Sequence, residues 1–267
     1  MNKKVFRWIK VIVLLYAVIG IALYYLQDTI LLRPDALPRD YKYAFDFPFG
    51  EVEIPINKTD TINMIQFYPT DSIRKGVVIY FHGNKGNVRR YRRFVTRFTK
   101  NGYEVWMPDY PGYGKSVGTI SEKALYQQAE QVYTMAASRY QQDSIIIYGK
   151  SFGTGIAAYL ASVKRCRQLI LETPYYSVAH LFGCYAPIYP TTRMANYKMP
   201  THRFLEEVSV PVSIFHGTSD GVIPYRCAVK LKKVLKPTDL FVTIPGGNHR
   251  DLNDYPVMKQ TLDSLLR

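Results

Sequence analysis

Acidic residues are scarce in this chain: 21 Asp and Glu stand against 35 Lys and Arg, for a formal charge of +14. A surplus of that size invites a nucleic-acid partner, but its distribution argues against one. The densest basic cluster is Arg89, Arg90, Arg92, Arg93, Arg97 and Lys100. Tyr91, Phe94, Val95 and Phe98 recur through it at helical spacing and read as the buried stripe of an amphipathic helix. The basic groups then occupy its solvated face, and no nucleic acid is expected. Cysteine is scarcer still. Cys166, Cys184 and Cys227 are isolated, odd in number and without zinc-site spacing, and at most one pair can bridge. They do not reveal the compartment. Two nucleotide motifs are incomplete. Gly114-Lys115-Ser116 ends like a phosphate loop, but Asp109 holds the position of its first glycine. Gly153-Thr154-Gly155-Ile156-Ala157-Ala158 fits G-x-G-x-x-A, yet it begins inside a helical segment rather than at a strand end. Neither a metal nor a cofactor is expected. There is no repeat and no low-complexity tract.

What is present is Gly149-Lys150-Ser151-Phe152-Gly153, a G-x-S-x-G match between the apolar run Ile145–Tyr148 and an Ala- and Leu-rich helical segment, Thr154–Val163. Strand, glycine-flanked turn and helix is the setting of a nucleophile elbow. The turn lifts the serine oxygen clear of the sheet, and the helix N-terminus favours negative charge there. Two partners follow in order. Val212–Phe215 is strand-like and leads through His216-Gly217-Thr218-Ser219 to Asp220; Leu240–Ile244 leads through Pro245-Gly246-Gly247-Asn248 to His249. Each lies past the carboxyl end of a predicted strand, where open parallel sheets place their sites. A serine hydroxyl needs a base to become a nucleophile, histidine titrates near neutrality, and a carboxylate fixes the imidazole tautomer. Ser151, His249 and Asp220 are therefore the expected catalytic residues, with Glu172 as the runner-up acid.

Upstream, the strand-like run Gly76–Phe81 precedes His82-Gly83-Asn84-Lys85-Gly86-Asn87. A loop of this kind brings a backbone N–H toward the substrate carbonyl. Asn84 is the expected first oxyanion donor, with Lys85 left open, and Phe152, after the nucleophile, is the second. His82 and His216 read as loop-shaping residues. His180 and His202 have no motif around them.

These residues, with Asp109-Tyr110-Pro111-Gly112-Tyr113-Gly114-Lys115-Ser116, carry a resemblance. The chain resembles the alpha/beta-hydrolase superfamily over roughly residues 45 to 267. More narrowly, it is similar to the membrane-anchored, lid-poor branch described as serine-aminopeptidase-like or alpha/beta-hydrolase domain-containing. The resemblance implies hydrolysis of acyl esters, thioesters or amides. Pro111 departs from it, standing where an arginine is common and where it would alter the pocket wall.

At the N-terminus, Val11 to Leu26 carries no charge and is nearly all apolar. Counted from Val5, a helix here is about 33 Å long, enough for a bilayer core. Trp8 and Tyr24-Tyr25 suit the two interfaces, and Lys3, Lys4, Arg7 and Lys10 precede the span. The positive-inside rule then puts the N-terminus in the cytoplasm and the hydrolase on the other side. No A-x-A cleavage site follows the apolar run, so an uncleaved anchor is expected. The basic helix nearby is suited to anionic lipid.

The expected organisation is an anchor at 1–26, a connector at 27–50 packed on the domain, and one catalytic domain at 51–267. The fold class is α/β: eight mostly parallel strands, beginning near Glu51, Thr61, Gly76, Tyr103, Ser144, Gln168, Val210 and Asp239, with helices on both faces. Helices are expected at Val88–Lys100, Ser121–Tyr140, Phe152–Val163, Tyr225–Leu235 and Asp251–Leu266. Between Thr173 and Leu205, where relatives insert a cap, the segment is short, aromatic and free of Asp and Glu. An aminopeptidase needs a carboxylate for the substrate ammonium, so that activity ranks below ester or thioester hydrolysis of lipid-like acyl groups. Arg193, Lys198 and Arg203 suit an anionic head. The competing class is a catalytically silent, membrane-tethered binding module.

Overall fold

Runs of β-branched and aromatic residues buried on both faces build the middle of one eight-stranded sheet. The computed structural model describes residues 2–71 and 74–267. Helix α1 (Lys3–Leu31) leads into the antiparallel pair β1 (Phe49–Pro55) and β2 (Thr61–Phe67). Then come β3 (Gly76–Phe81), α2 (Val88–Tyr91), α3 (Val95–Thr99), β4 (Tyr103–Pro108), α4 (Glu122–Ala137), β5 (Ile145–Lys150), α5 (Gly153–Val163) and β6 (Gln168–Glu172). Three short helices follow, α6 (Val178–Tyr185), α7 (Thr191–Met194) and α8 (Thr201–Glu207). The chain closes with β7 (Val212–Gly217), α9 (Tyr225–Ala228), β8 (Leu240–Ile244) and α10 (Pro256–Leu265).

Across the sheet the order is β8-β7-β6-β5-β3-β4-β2-β1, and β2 alone runs against its neighbours. Every strand expected from sequence is present, with starts shifted by no more than two residues. The register sets Phe81 beside Gly149, Lys150 beside Glu172 and Glu172 beside Phe215, so four central strands end on one edge. Alternation along β3 divides the core. Val77, Ile79 and Phe81 pack with Leu125, Val132 and Ile156 on one face; Val78 and Tyr80 pack with Val95, Phe98 and Met258 on the other. Each such side chain contributes about 1.5–3 kcal/mol of burial.

The helices differ from expectation in detail. α4 starts one residue late because Ser121 is its cap, accepting from the Ala124 N–H at 3.1 Å. Val88–Lys100 is broken by a 3₁₀ turn at Arg92–Phe94. Val88, Tyr91, Val95 and Phe98 are its buried stripe; Phe94 is half-buried, and the Lys150 ammonium lies over its ring. α1 continues to Leu31, past the expected end of the span at Leu26. It is long and apolar enough to cross a membrane, and its most apolar stretch is unburied by the rest of the chain. The segment after it packs on the domain: Arg33–Pro34 pairs in parallel with Lys85–Gly86, and Tyr43 is buried.

Candidate active site

Ser151 has φ of +52°, a left-handed conformation that L-residues rarely adopt. Its N–H donates to the Glu172 carbonyl at 2.8 Å, tying the turn to the next strand. The flanking glycines are required by contact. A Cβ at Gly149 would lie 2.7 Å from the Thr154 Cα, and one at Gly153 would lie 2.2 Å from the Phe81 carbonyl oxygen. The elbow thus presses α5 against β3, and Ser151 is held above the strand ends.

Two loops bring the partners. A Cβ at Gly217 would lie 2.1 Å from the Gly247 oxygen, so the loops after β7 and β8 run in contact. The Thr218 and Ser219 N–H groups donate to Ile244 and Gly247. Across this junction Asp220 Oδ2 accepts from His249 Nδ1 at 2.8 Å, and His249 Nε2 accepts from Ser151 Oγ at 2.9 Å. The tautomer follows from the partners: the carboxylate fixes the proton on Nδ1 and leaves Nε2 free as acceptor. Asp220 Oδ1 accepts the N–H groups of Val222 and Ile223, each at 2.8 Å. Burial pushes the Asp220 carboxyl up, but the hydrogen bonds and charge of His249, with the backbone donors and His216, outweigh it and leave it below the usual carboxylate range. His216 lies fully buried beneath, 3.6 Å from Asp220, donating to the Ile223 carbonyl; its pKa is lowered, chiefly by burial.

Asn84 and Phe152, the expected oxyanion donors, line the same cleft as Ser151 and His249, as does Lys85. Among the described residues, no acceptor in the protein takes the N–H of Asn84 or Phe152. Gly83 makes room: a Cβ there would lie 3.5 Å from the Ser151 Cβ. Asn84 is fixed on three sides. Its side chain donates to the Leu31 carbonyl, and its own carbonyl accepts from the Arg33 N–H at 3.0 Å and the Tyr113 hydroxyl at 2.8 Å. His82 is buried against Asp109 and Gly83, shaping this loop as expected. Glu172 does not meet His249. It is buried with the Lys150 ammonium, the Tyr148 hydroxyl and the Asn253 amide.

The cleft over Ser151 has a volume of about 580 Å³. Its lining combines apolar and aromatic groups, among them Val178, Phe182, Tyr185 and Tyr189, with the basic groups of Arg33, Arg90, Arg93 and Arg250. No Asp or Glu lines it among the described residues. Arg193, Lys198 and Arg203, expected to suit an anionic head, do not line it, and neither does Pro111.

A family profile described as "Serine aminopeptidase, S33" matches residues 72–207. The chain belongs to this family of alpha/beta hydrolases. Among curated relatives of this chain is the uncharacterized protein YfhR of Escherichia coli O157:H7, 27% identical over 65% of this chain and 63% of that protein. Another is the lysophosphatidylserine lipase ABHD12 of Rattus norvegicus, 27% identical over 62% of this chain and 46% of that protein. The chain thus spans less than two thirds of either relative. The Pyrococcus furiosus esterase Pf2001 shares its fold, with a TM-score of 0.68 at 16% identity, over 88% of this chain and 97% of that one.

Two features of this chain escaped sequence reading. Leu23, Gln27, Ile30 and Leu31 of α1 line the cleft, a contact between distant segments that no local pattern signals. Cys184 on α6 and Cys227 on α9 form a disulfide across 43 residues, which their spacing left open. His180 Nδ1 lies 3.7 Å from Cys184 Sγ. With the sulfurs bonded to each other, neither remains a thiolate for a metal ion.

Proposed function

We propose that this chain is a membrane-anchored serine hydrolase that cleaves carboxylic esters or thioesters of lipid-like acyl groups through an acyl-enzyme. The observation that carries the reading is the relay of 2.9 and 2.8 Å from Ser151 through His249 to Asp220, opening on a cleft that no carboxylate lines among the described residues. His249 Nε2 takes the Ser151 proton as Oγ attacks the carbonyl carbon. The N–H groups of Asn84 and Phe152 stabilise the oxyanion. As the intermediate collapses, the imidazolium gives its proton to the departing alcohol or thiol. Water then repeats the sequence against the acyl-serine. Asp220 stays ionised throughout and balances the imidazolium.

A peptidase acting on free N-termini would need a negative group to hold the substrate ammonium, and the lining supplies cations instead. Acyl substrates with apolar tails fit the aromatic lining of the cleft. The lipid named in the description of ABHD12 agrees with that direction. α1 serves as the anchor, an intervening segment follows, and the domain from residue 51 onward is catalytic. Lys3, Lys4, Arg7 and Lys10 put the N-terminus on the cytoplasmic side and the catalytic domain opposite.

The test is a fluorophosphonate probe on the full chain in detergent, beside Ser151→Ala, with a panel of p-nitrophenyl esters and aminoacyl anilides. The parent labels and cleaves esters in preference to anilides, and the variant does neither. Labelling that survives the substitution would place the nucleophile elsewhere.

A further inference from the structure

The segment after α6 does not stay over the catalytic domain. It runs down the side of α1. Gln27, buried on α1, donates to the Met194 carbonyl at 3.1 Å and accepts the Asn196 N–H at 2.7 Å. Eleven residues earlier on the helix, about 16 Å along its axis, Tyr16 stacks on Tyr189 with ring centroids 4.6 Å apart. The Tyr16 hydroxyl donates to the Ile188 carbonyl at 3.1 Å, and the Tyr189 hydroxyl returns a bond to the Tyr16 carbonyl at 3.0 Å. A Cβ at Gly20 would lie 2.9 Å from the Tyr189 ring, so a glycine permits this close approach.

Depth follows from these contacts. Tyr16 lies well inside the uncharged stretch Val11–Leu26. A segment held against Tyr16 lies at the same level. Residues 181–190 carry no charge, and Ile188 is 70% exposed, whereas the Tyr185 hydroxyl is held by the Gly221 and Val222 carbonyls of the domain at 2.8 and 3.0 Å. A side chain like Ile188 is costly in water and at home in hydrocarbon. The same segment and α1 both line the cleft: Leu23 and Ile30, with Phe182 and Tyr189, border the one space that also holds Ser151.

We propose that α1 is one wall of the acyl cleft and that the acyl chain of a membrane lipid enters sideways from the leaflet, between α1 and a submerged tip at residues 186–190. This rests on the hydrolase reading above and adds to it the source and path of the substrate. The anchor is then part of the substrate site as well as a tether. A chain drawn from the leaflet passes from hydrocarbon to an apolar lining without crossing water, while the basic groups of the cleft stay at the membrane surface.

The experiment uses the full chain in nanodiscs. Leu23→Trp and Ile30→Trp fill the wall, and kcat/KM is measured for 4-methylumbelliferyl oleate and acetate. The expected result is a fall of about tenfold in the oleate-to-acetate ratio. A ratio equal to the parent's overturns the proposal. A second arm reads depth without catalysis: Ile188→Trp in a Trp8→Phe background, with bromine on the lipid acyl chains, the emission of the buried Trp106 being measured on the Trp8→Phe chain alone and subtracted. Quenching of the new tryptophan is expected, and an unquenched residue 188 overturns the submerged tip. A parent that cleaves neither ester sinks the hydrolase reading and this inference with it. A parent that cleaves both, with an unchanged ratio in the variants, sinks this inference alone.

Discussion

Lys150 and Glu172 form a closed ion pair directly beneath the elbow, both side chains buried. Neighbours in register on β5 and β6, they bond to each other and not to His249. Their pairing, with Tyr148 and Asn253 completing the carboxylate's partners, leaves Asp220 as the acid in contact with the imidazole.

Glu172→Gln is therefore a stability variant. Removing one partner strands a buried ammonium and costs about 3–5 kcal/mol. In a chain of this size that lowers Tm by about 10 °C. Calorimetry checks the fall, and turnover per fluorophosphonate-labelled serine should drop far less than in Asp220→Asn.

Asp220→Asn separates charge from scaffold. The amide oxygen can still accept the Val222 and Ile223 N–H groups, so the loop keeps its shape. The imidazole loses the anion that sets its tautomer, and kcat falls by about four orders of magnitude. Ester hydrolysis beside a melting curve decides it; a fall of less than tenfold would remove Asp220 from the triad.

Gly153→Ala and Gly83→Ala should fail differently. The first drives a methyl into the backbone of β3, where nothing can give way, and costs about 3 kcal/mol or more. The second meets the Tyr91 hydroxyl, the far end of a side chain, at 2.7 Å and stands beside Ser151. Its Tm should hold within a few degrees while kcat/KM falls, as thermal melts and ester kinetics on one preparation will show.

Acid should destabilise the fold in two windows. The buried His216 has a folded pKa below the unfolded value of about 6.5, so the unfolded chain takes its proton first. Stability falls as pH drops below about 6.5 and levels off beneath the folded value. The Asp220 carboxyl, also held below its unfolded value of about 3.9, adds stability above that value and loses it as pH falls through the folded one. Calorimetry from pH 7.5 to 5 should show Tm falling, with a shallower slope in His216→Gln.

How far the sequence is legible depends on the range of the interaction. Strands such as Gly76–Phe81 announce themselves because burial on both faces leaves an unbroken apolar run. Ser151 and Asp220 are legible because each follows such a run, and His249 because it follows a half-exposed edge strand rich in β-formers; the sheet register converts strand ends into neighbours. The short helices at 178–207 leave no period to read, since four to eight residues span two turns at most. Tyr16 against Tyr189, the Asn84 carbonyl against Arg33, and Cys184 against Cys227 join segments whose sequences carry no mark of one another. Phe94 misleads for a local reason: the 3₁₀ turn rotates it off the buried stripe toward Lys150.

The bond between Cys184 and Cys227 fastens the roof of the cleft to the helix that follows the Asp220 loop. Closing a loop of that length restricts the unfolded chain by about 4 kcal/mol. Material made where thiols stay reduced would keep its sheet and its three site groups yet carry an unfastened roof. Batches of differing redox history would then agree on small esters and disagree on bulky ones, and the history of a sample would become one of its kinetic variables.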